Sequence, residues 1–454
     1  MNLTQLHSVY FLGIGGIGMS ALAKWFKHRG FSVAGYDRSL TPLTRSLEAL
    51  GIEVHYEDNI SELSEKYIED SQTLVVYTPA IPSSSKLLKF FEVGRFQIKK
   101  RSEVLGMITQ DNFSIAIAGT HGKTTTSSMV AHVMYSSAKD CSAFVGGIMT
   151  NYDSNLLMGD QETVVVVEAD EFDRSFLQLS PDFSVVTSLD PDHLDIYGNA
   201  EEMTESYLAF IDKTYQRGDI LLHKDVSSKL STHLSRKHRT YGLSGAHITA
   251  KNIRIEGHKF IFDYSGAIDI KNLRLAFPGF HNVENALAAI TVVLDRGISS
   301  DLIREAIESY QGVKRRFEFI LDQSDLIFID DYAHHPNEID ALLKSVKKLY
   351  PKKKITVIFQ PHLFTRTRDF YQEFAEKLSL ADEIILLDIY PAREEAIPGV
   401  DAHLILDNIT KVNKKIASLD DFPMVLEDSQ VEVLLTVGAG NIDTLVPIIK
   451  SFYT

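Results

Sequence analysis

The sequence predicts an α/β protein of three domains, each built on a mostly parallel sheet. Three observations predict it. Short β-rich runs alternate with helical stretches almost throughout the 454 residues, the pattern of parallel sheets covered by helices. Several runs end in loops rich in glycine or acids, where open α/β sheets place their ligands. The chain is also about three times the length of a typical domain.

Candidate strands cover residues 9–13, 32–36, 74–78, 114–118, 164–168, 184–188, 326–329, 355–359, 383–387 and 433–437. The stretch 248–277 breaks the rhythm: polar and apolar residues alternate, and Glu256-Gly257 and Ser265-Gly266 supply turns. It reads as an antiparallel meander added to an α/β domain. A basic connector at 97–108 and a hinge at 312–316 divide the chain into expected domains 1–106, 107–313 and 314–454.

The composition, 44% hydrophobic and 24% charged, provides for several cores and excludes disorder. A formal charge of −15 argues against a nucleic-acid partner held by backbone charge. An anionic substrate must then meet local donors. Cys141 is the only cysteine, so a disulfide within the chain and a cysteine-rich metal site are excluded. No apolar run approaches the roughly 20 residues of a membrane span. The start, MNLTQLHSVYFLGIGG, lacks the charged region of a signal peptide. A cytoplasmic protein without a membrane partner is expected.

The strongest motif is Ala118-Gly119-Thr120-His121-Gly122-Lys123-Thr124-Thr125-Thr126, set between the strand FSIAIA and the helix SSMVAHVMY. Glycines let several backbone N–H groups converge on one anion, and the helix N-terminus adds partial positive charge. Lys123 can reach outer phosphates and the Thr124 hydroxyl a magnesium ion. Ile117 stands where the full pattern wants a glycine, so the loop is a shortened variant. The bland reading is a capped helix with a solvated lysine.

Gly13-x-Gly15-x-x-Gly18, followed by Asp37, has the form of a dinucleotide fingerprint, which makes the first domain Rossmann-like. A glycine turn at a helix N-terminus holds any diphosphate, so a nicotinamide dehydrogenase and a binder of sugar nucleotides both fit. A ligand-free tight turn is the third possibility. Glu168-Ala169-Asp170-Glu171-Phe172-Asp173 closes one strand, and Asp190-Pro191-Asp192-His193-Leu194-Asp195 the next. Carboxylates crowded at a strand end suit a hard cation such as magnesium, against the alternative of two polar loops.

In the last third, three consecutive strands end in Asp330-Asp331-Tyr332-Ala333-His334-His335-Pro336, in Gln360-Pro361-His362-Leu363-Phe364-Thr365-Arg366-Thr367-Arg368, and in Asp388-Ile389-Tyr390-Pro391-Ala392-Arg393-Glu394. Aligned strand ends make this domain Rossmann-like too. Its arginines can grip a carboxylate, and His334 can orient or deprotonate an amine. His281 and Asn285 lie one turn apart on a helix and can read a base edge or cap the helix. Lys314-Arg315-Arg316 at the hinge is either a solvated run or an arginine on phosphates.

Taken together, GIGGIGMS, AGTHGKTTT, VEADEFDRSFL, DPDHLD, PGFHNVENA, KRRFE, DDYAHHPNE, FQPHLFTRT and DIYPAREE resemble the Mur ligase family, in order and over essentially the whole chain. The resemblance implies a first domain for a UDP-sugar, a central P-loop-like ATPase domain and a last domain for an amino acid. It implies catalytic roles for Lys123, Glu168, His193 and His334, with magnesium on Thr124, Glu168 and His193. ATP would meet Gly119, Thr120, His121, Gly122, Lys123, Thr124, Thr125, His281, Asn285, Arg316 (or Arg315) and Asp331. The sugar nucleotide would meet Gly15, Gly16, Ile17, Gly18, Asp37 and Thr78, and the amino acid His334 and Arg366.

The implied reaction is ATP-dependent peptidoglycan precursor synthesis, in which L-alanine is joined to the carboxylate of UDP-N-acetylmuramate. The alternative is a tripeptide-adding, recycling relative acting on the same nucleotide, and a catalytically silent scaffold is a further one. Two departures matter. Sister ligases carry a magnesium-bridging carbamylated lysine, but 205–212 has none and Lys213 is the nearest; this favours the alanine-adding branch. Leu363 stands where many relatives have an arginine, which leaves Arg366 as the candidate for the carboxylate.

Overall fold

A computed structural model describes residues 6–68, 73–94, 96–110, 112–160, 164–191, 194–215, 218–392, 394–410, 413–427 and 430–454. The chain forms two compact units, residues 1–249 with 285–306, and residues 250–284 with 307–454.

The first unit holds two sheets. Strands β1 (Ser8–Leu12), β2 (Ser32–Tyr36), β3 (Glu53–His55), β4 (Thr73–Tyr77) and β5 (Gln97–Lys100) are all parallel, in the order β3-β2-β1-β4-β5. β1 is buried along its whole length, as a strand covered by helices on both faces must be. The strand order reverses between β1 and β4, which opens a crevice at their carboxyl ends.

In the second sheet, β6 (Phe113–Ala118), β7 (Ser142–Met149), β8 (Ser154–Leu157), β9 (Val164–Glu168), β10 (Phe183–Val186), β11 (Asp219–His223) and β12 (Arg239–Gly242) run in the order β8-β7-β9-β6-β10-β11-β12. Only β8 is antiparallel to its neighbour. β6 lies between β9 and β10, so three strand ends converge where the phosphate-type loop begins. The helix Ile17–His28 buries Met19, Leu22, Trp25 and Phe26, and it packs against β7 and β8 of this central sheet.

β13 (Ile248–Glu256) starts beside β12 and runs on into the second unit. There it is followed by β14 (Lys259–Ser265) and β15 (Asp269–Leu275), the meander expected from the alternation. The last sheet has the order β16-β17-β21-β18-β19-β20, built from β16 (Glu318–Asp322), β17 (Ile327–Asp331), β18 (Ile355–Phe359), β19 (Glu383–Leu386), β20 (Lys414–Ile416) and β21 (Val433–Val437). Only β16 is antiparallel. All ten expected strands are present, and their ends shift by two residues at most.

The stretch 97–108 is not a connector. It forms β5 and the helix Arg101–Gln110, because Val104, Leu105 and Ile108 bury against the core while the lysines of β5 stay near solvent. Among the other strands missed in the sequence, β3 and β20 are short, β7 contains a glycine pair, and β11 and β16 carry charged residues at their ends. Among the described residues, no helix is long and apolar enough to cross a membrane.

Candidate active site

The loop after β6 turns into the helix Lys123–Ser136. Gly119 and Gly122 hold φ of 136° and 80°, backbone that a side chain resists. Space forbids one as well: a Cβ would lie 2.1 Å from Thr187 Oγ1 at Gly119 and 2.7 Å from Asn285 Oδ1 at Gly122. The end of β10 braces the turn. The His121 amide donates to the Ser188 hydroxyl at 2.7 Å, and the Asp190 amide donates to the buried Thr120 hydroxyl at 3.1 Å. The His121 ring lies 3.6 Å from the Asp190 carboxylate. The helix has neither a side-chain cap nor an acid in its first turn, which begins with Lys123, Thr124 and Thr125. Its first N–H groups therefore suit an anion. Thr126 ties the helix to Asn285 by a 3.2 Å hydrogen bond.

Lys123 Nζ donates to the Gly119 carbonyl at 2.6 Å and to Glu171 Oε1 at 2.8 Å. Burial lowers its pKa, but Glu171, Glu168 and Asp170 together outweigh that and raise it, so the ammonium is charged. The Thr124 hydroxyl donates to Glu168 Oε1 at 2.9 Å, and the Gly146 amide donates to Glu168 Oε2 at 2.8 Å. A hydroxyl and a carboxylate side by side are the oxygen donors that magnesium takes, with phosphates and water completing its shell. The site thus fits that ion. His193, expected beside it, lies outside the described residues.

At the first sheet, a Cβ on Gly13 would lie 2.8 Å from Thr78 Cγ2, so the ends of β1 and β4 meet there. The Gly15 amide donates to Asp37 Oδ2 at 2.8 Å, and Asp37 also accepts from the Ser39 amide. Asp37 therefore braces the glycine loop. Gly16 opens the helix Ile17–His28 without a side-chain cap or an acid in its first turn. Asn155, fully buried on β8, donates to the Ile17 carbonyl and to Ser20 Oγ, and it accepts from Lys24 at 3.0 Å. Arg101 rests against Gly18 and donates to Asp170 at 3.0 Å. These contacts fasten the glycine loop to the central sheet.

In the second unit, Asp330 is buried and accepts from Thr436 at 2.6 Å and from Arg315 at 3.2 Å. Arg315 also donates to the carbonyls of Gly438 and Gly440. Arg315 is thus committed to bracing β17 and β21. Arg316 lies 4.0 Å from Glu338 and over the Tyr332 ring, and its charge also acts on Asp331. Asp331 accepts from the Phe317 and Ala333 amides, while burial pushes its pKa up to about 6.

His334 Nδ1 lies 2.9 Å from the Tyr332 carbonyl and donates its proton there, so in the neutral ring Nε2 is the acceptor nitrogen. Glu338 accepts from the His334 and His335 amides. His362 meets His334 edge-on at 6.0 Å and stacks on Tyr390, with Arg366 Nη1 3.5 Å from its Nδ1. Leu363 holds φ 71° in a buried position, a strained conformation for a branched residue. His281 is drawn down to a pKa of about 4, chiefly by burial, so it is neutral near pH 7.

Four residues to which sequence reasoning assigned no role of their own join these sites: Glu171, His362 and Glu338, which lay inside motifs, and Arg101. Glu338 had a signal, since it stands three residues after His335, where a capping acid reaches back to the helix start. The others become partners only through strands distant in sequence.

Fold and site together define a three-domain nucleotide-binding α/β enzyme. Three family models cover most of the chain: the Mur ligase family catalytic domain over residues 8–112, the Mur ligase middle domain over 117–293, and the Mur ligase glutamate ligase domain over 315–440. The chain belongs to the Mur ligase family. It is 47% identical to the UDP-N-acetylmuramate–L-alanine ligase of Cytophaga hutchinsonii, covering 99% of this chain and 97% of that one. It is 46% identical to the protein of the same name from Flavobacterium johnsoniae, over 99% and 98%. The solved UDP-N-acetylmuramate–alanine ligase of Thermotoga maritima superposes with a TM-score of 0.83 at 29% identity, over 98% and 99% of the two chains. A murein peptide ligase from Psychrobacter arcticus shares the fold at a TM-score of 0.70 and 21% identity, over 97% of each chain.

Proposed function

We propose that this chain is an ATP-dependent ligase that joins L-alanine to the carboxylate of UDP-N-acetylmuramate, with domains divided near residues 106 and 313. One observation carries the reading: Lys123 and the Thr124–Glu168 pair stand together at the converging ends of β6 and β9, beside a glycine loop fastened to the same unit. Relatives at 43–47% identity carry the name of the alanine-adding ligase, which favours it over the tripeptide-adding alternative.

A carboxylate and an amine do not condense in water without activation. The muramoyl carboxylate attacks the ATP γ-phosphate, giving an acyl phosphate and ADP. The alanine amine then attacks the acyl carbon, and phosphate leaves from the tetrahedral intermediate. Phosphoryl transfer depends mainly on positioning and charge neutralisation. The loop 119–125 would hold the phosphates, with Lys123 on the outer ones, Arg316 and Asp331 as further ATP ligands, and His281 with Asn285 near the base. Thr124 and Glu168 would hold magnesium, which supplies neutralising charge on the phosphates. Gly15–Gly18 would hold the diphosphate of the sugar nucleotide, with Asp37 and Thr78 shaping that site. Arg366 would hold the alanine carboxylate, and His334 Nε2 would accept the amine proton.

Phosphate release tests the reading, measured with ATP, magnesium and UDP-N-acetylmuramate. Release should depend on L-alanine and stay at background with the tripeptide or without an acceptor. Release driven by the tripeptide, or none with alanine, would refute it.

A further inference from the structure

Lys123 does not stand alone over its loop. An ammonium has three donors, and here one goes to the Gly119 carbonyl at 2.6 Å and another to Glu171 at 2.8 Å. Glu171 is only 1% exposed. A buried carboxylate is costly unless a charge answers it, and Lys123 is the cation that does so.

Glu171 is itself fixed in place. Its backbone carbonyl accepts from the Tyr197 hydroxyl at 2.6 Å. On one side, Asp170 is held by Arg101 at 3.0 Å and by the Phe172 amide at 3.1 Å, and the Ala169 amide donates to the Ile117 carbonyl at 2.8 Å. On the other side, the chain passes through left-handed backbone at Asp173 and Arg174, with φ of 50° and 60°. Such strain persists only where surrounding contacts dictate it. The acidic turn thus presents one carboxylate at one place, against the lysine.

We propose that Glu171 is a positioning residue for phosphoryl transfer: with the Gly119 carbonyl it fixes the Lys123 ammonium, so that the third donor is presented to the nucleotide. This rests on the reading of Lys123 as a phosphate ligand. A lysine side chain has four rotatable carbons and no intrinsic direction, so two anchors are what turn a mobile charge into an aimed one. Glu168, three residues earlier, faces Thr124 and belongs to the metal side. The acidic turn therefore divides its work, with one carboxylate for the hydroxyl and its ion and one for the lysine.

The test is steady-state kinetics of Glu171→Gln in the full chain, with melting temperature and ADP-binding stoichiometry as folding controls. We expect kcat to fall about 10- to 100-fold, the scale of a misplaced catalytic group. The KM for ATP and the magnesium concentration for half-maximal rate should stay within about threefold of wild type on this account. Glu171→Asp keeps the charge and should recover part of kcat; it also carries the test if the glutamine variant does not fold. An unchanged kcat per ADP-binding site would overturn the proposal. A raised magnesium requirement would overturn it too, by making Glu171 a metal ligand. Lys123→Ala runs beside it: wild-type turnover in that variant would refute the phosphate-ligand reading itself, a result distinct from either outcome at Glu171.

Discussion

Lys123 shows how much one side chain depends on its setting. Its place after Gly-x-x-Gly marked it in the sequence, because only a strand, a glycine turn and a helix start put a lysine over an anion. Its partner Glu171 was not legible: Glu168, Asp170, Glu171 and Asp173 are interchangeable as letters, and only the path of the turn decides which one meets the ammonium. The two adjacent arginines pose the same problem, and the structure separates them by tying Arg315 to Asp330 and Gly438.

Lys123→Ala should slow phosphate release about 10²–10³-fold, the usual cost of removing one preorganised charge from a developing anion. Gly122→Ala must adopt φ 80° and place a Cβ 2.7 Å from Asn285 Oδ1. It should lose ADP binding in calorimetry while the protein still folds; tight ADP binding by that variant would show that the turn does not hold the nucleotide.

At the scale of elements, the alternation of apolar runs and helical stretches exposed most strands, because buried parallel strands read as continuous Val, Ile and Leu. It failed where strands are short or carry lysines, as at β5 and β20. It also gave no sign that the helix Ile17–His28 docks on the central sheet through the buried amide of Asn155. Asn155→Ala would leave the partners of that amide unsatisfied, which costs about 1–3 kcal/mol per buried group. The urea midpoint should drop accordingly.

The helix Phe280–Asp295 gives a pH prediction through His281. Burial lowers its pKa from 6.5 to about 4, outweighing the pull of Glu284 and Glu338 and reinforced by Arg316. Between those values the unfolded chain binds a proton that the folded chain refuses, so stability falls as pH drops through that window. Denaturation at pH 7 and pH 5 should show the loss, and His281→Gln should reduce it.

At the scale of the molecule, the three parallel-sheet domains were legible from length, rhythm and the meander. The grouping of the chain into two compact units was not, since it depends on which stretches distant in sequence come to lie together. The departure at Leu363 finds a structural counterpart: the residue is buried in a strained conformation beside His362 and Tyr390. Leu363→Gly should relieve that strain at a positive φ. If the strain aims Arg366, the KM for L-alanine should rise by about tenfold, the scale of one weakened charged contact, with the KM for ATP unchanged.

The most direct measurement is a crystal structure of the protein with UDP-N-acetylmuramate, magnesium and a non-hydrolysable ATP analogue. The analogue's phosphates are expected in the turn at Gly119–Thr125, with Lys123 Nζ in hydrogen-bond reach of an outer phosphate oxygen and the metal on Thr124 and Glu168. An analogue bound elsewhere, with that turn holding no phosphate, would contradict this expectation.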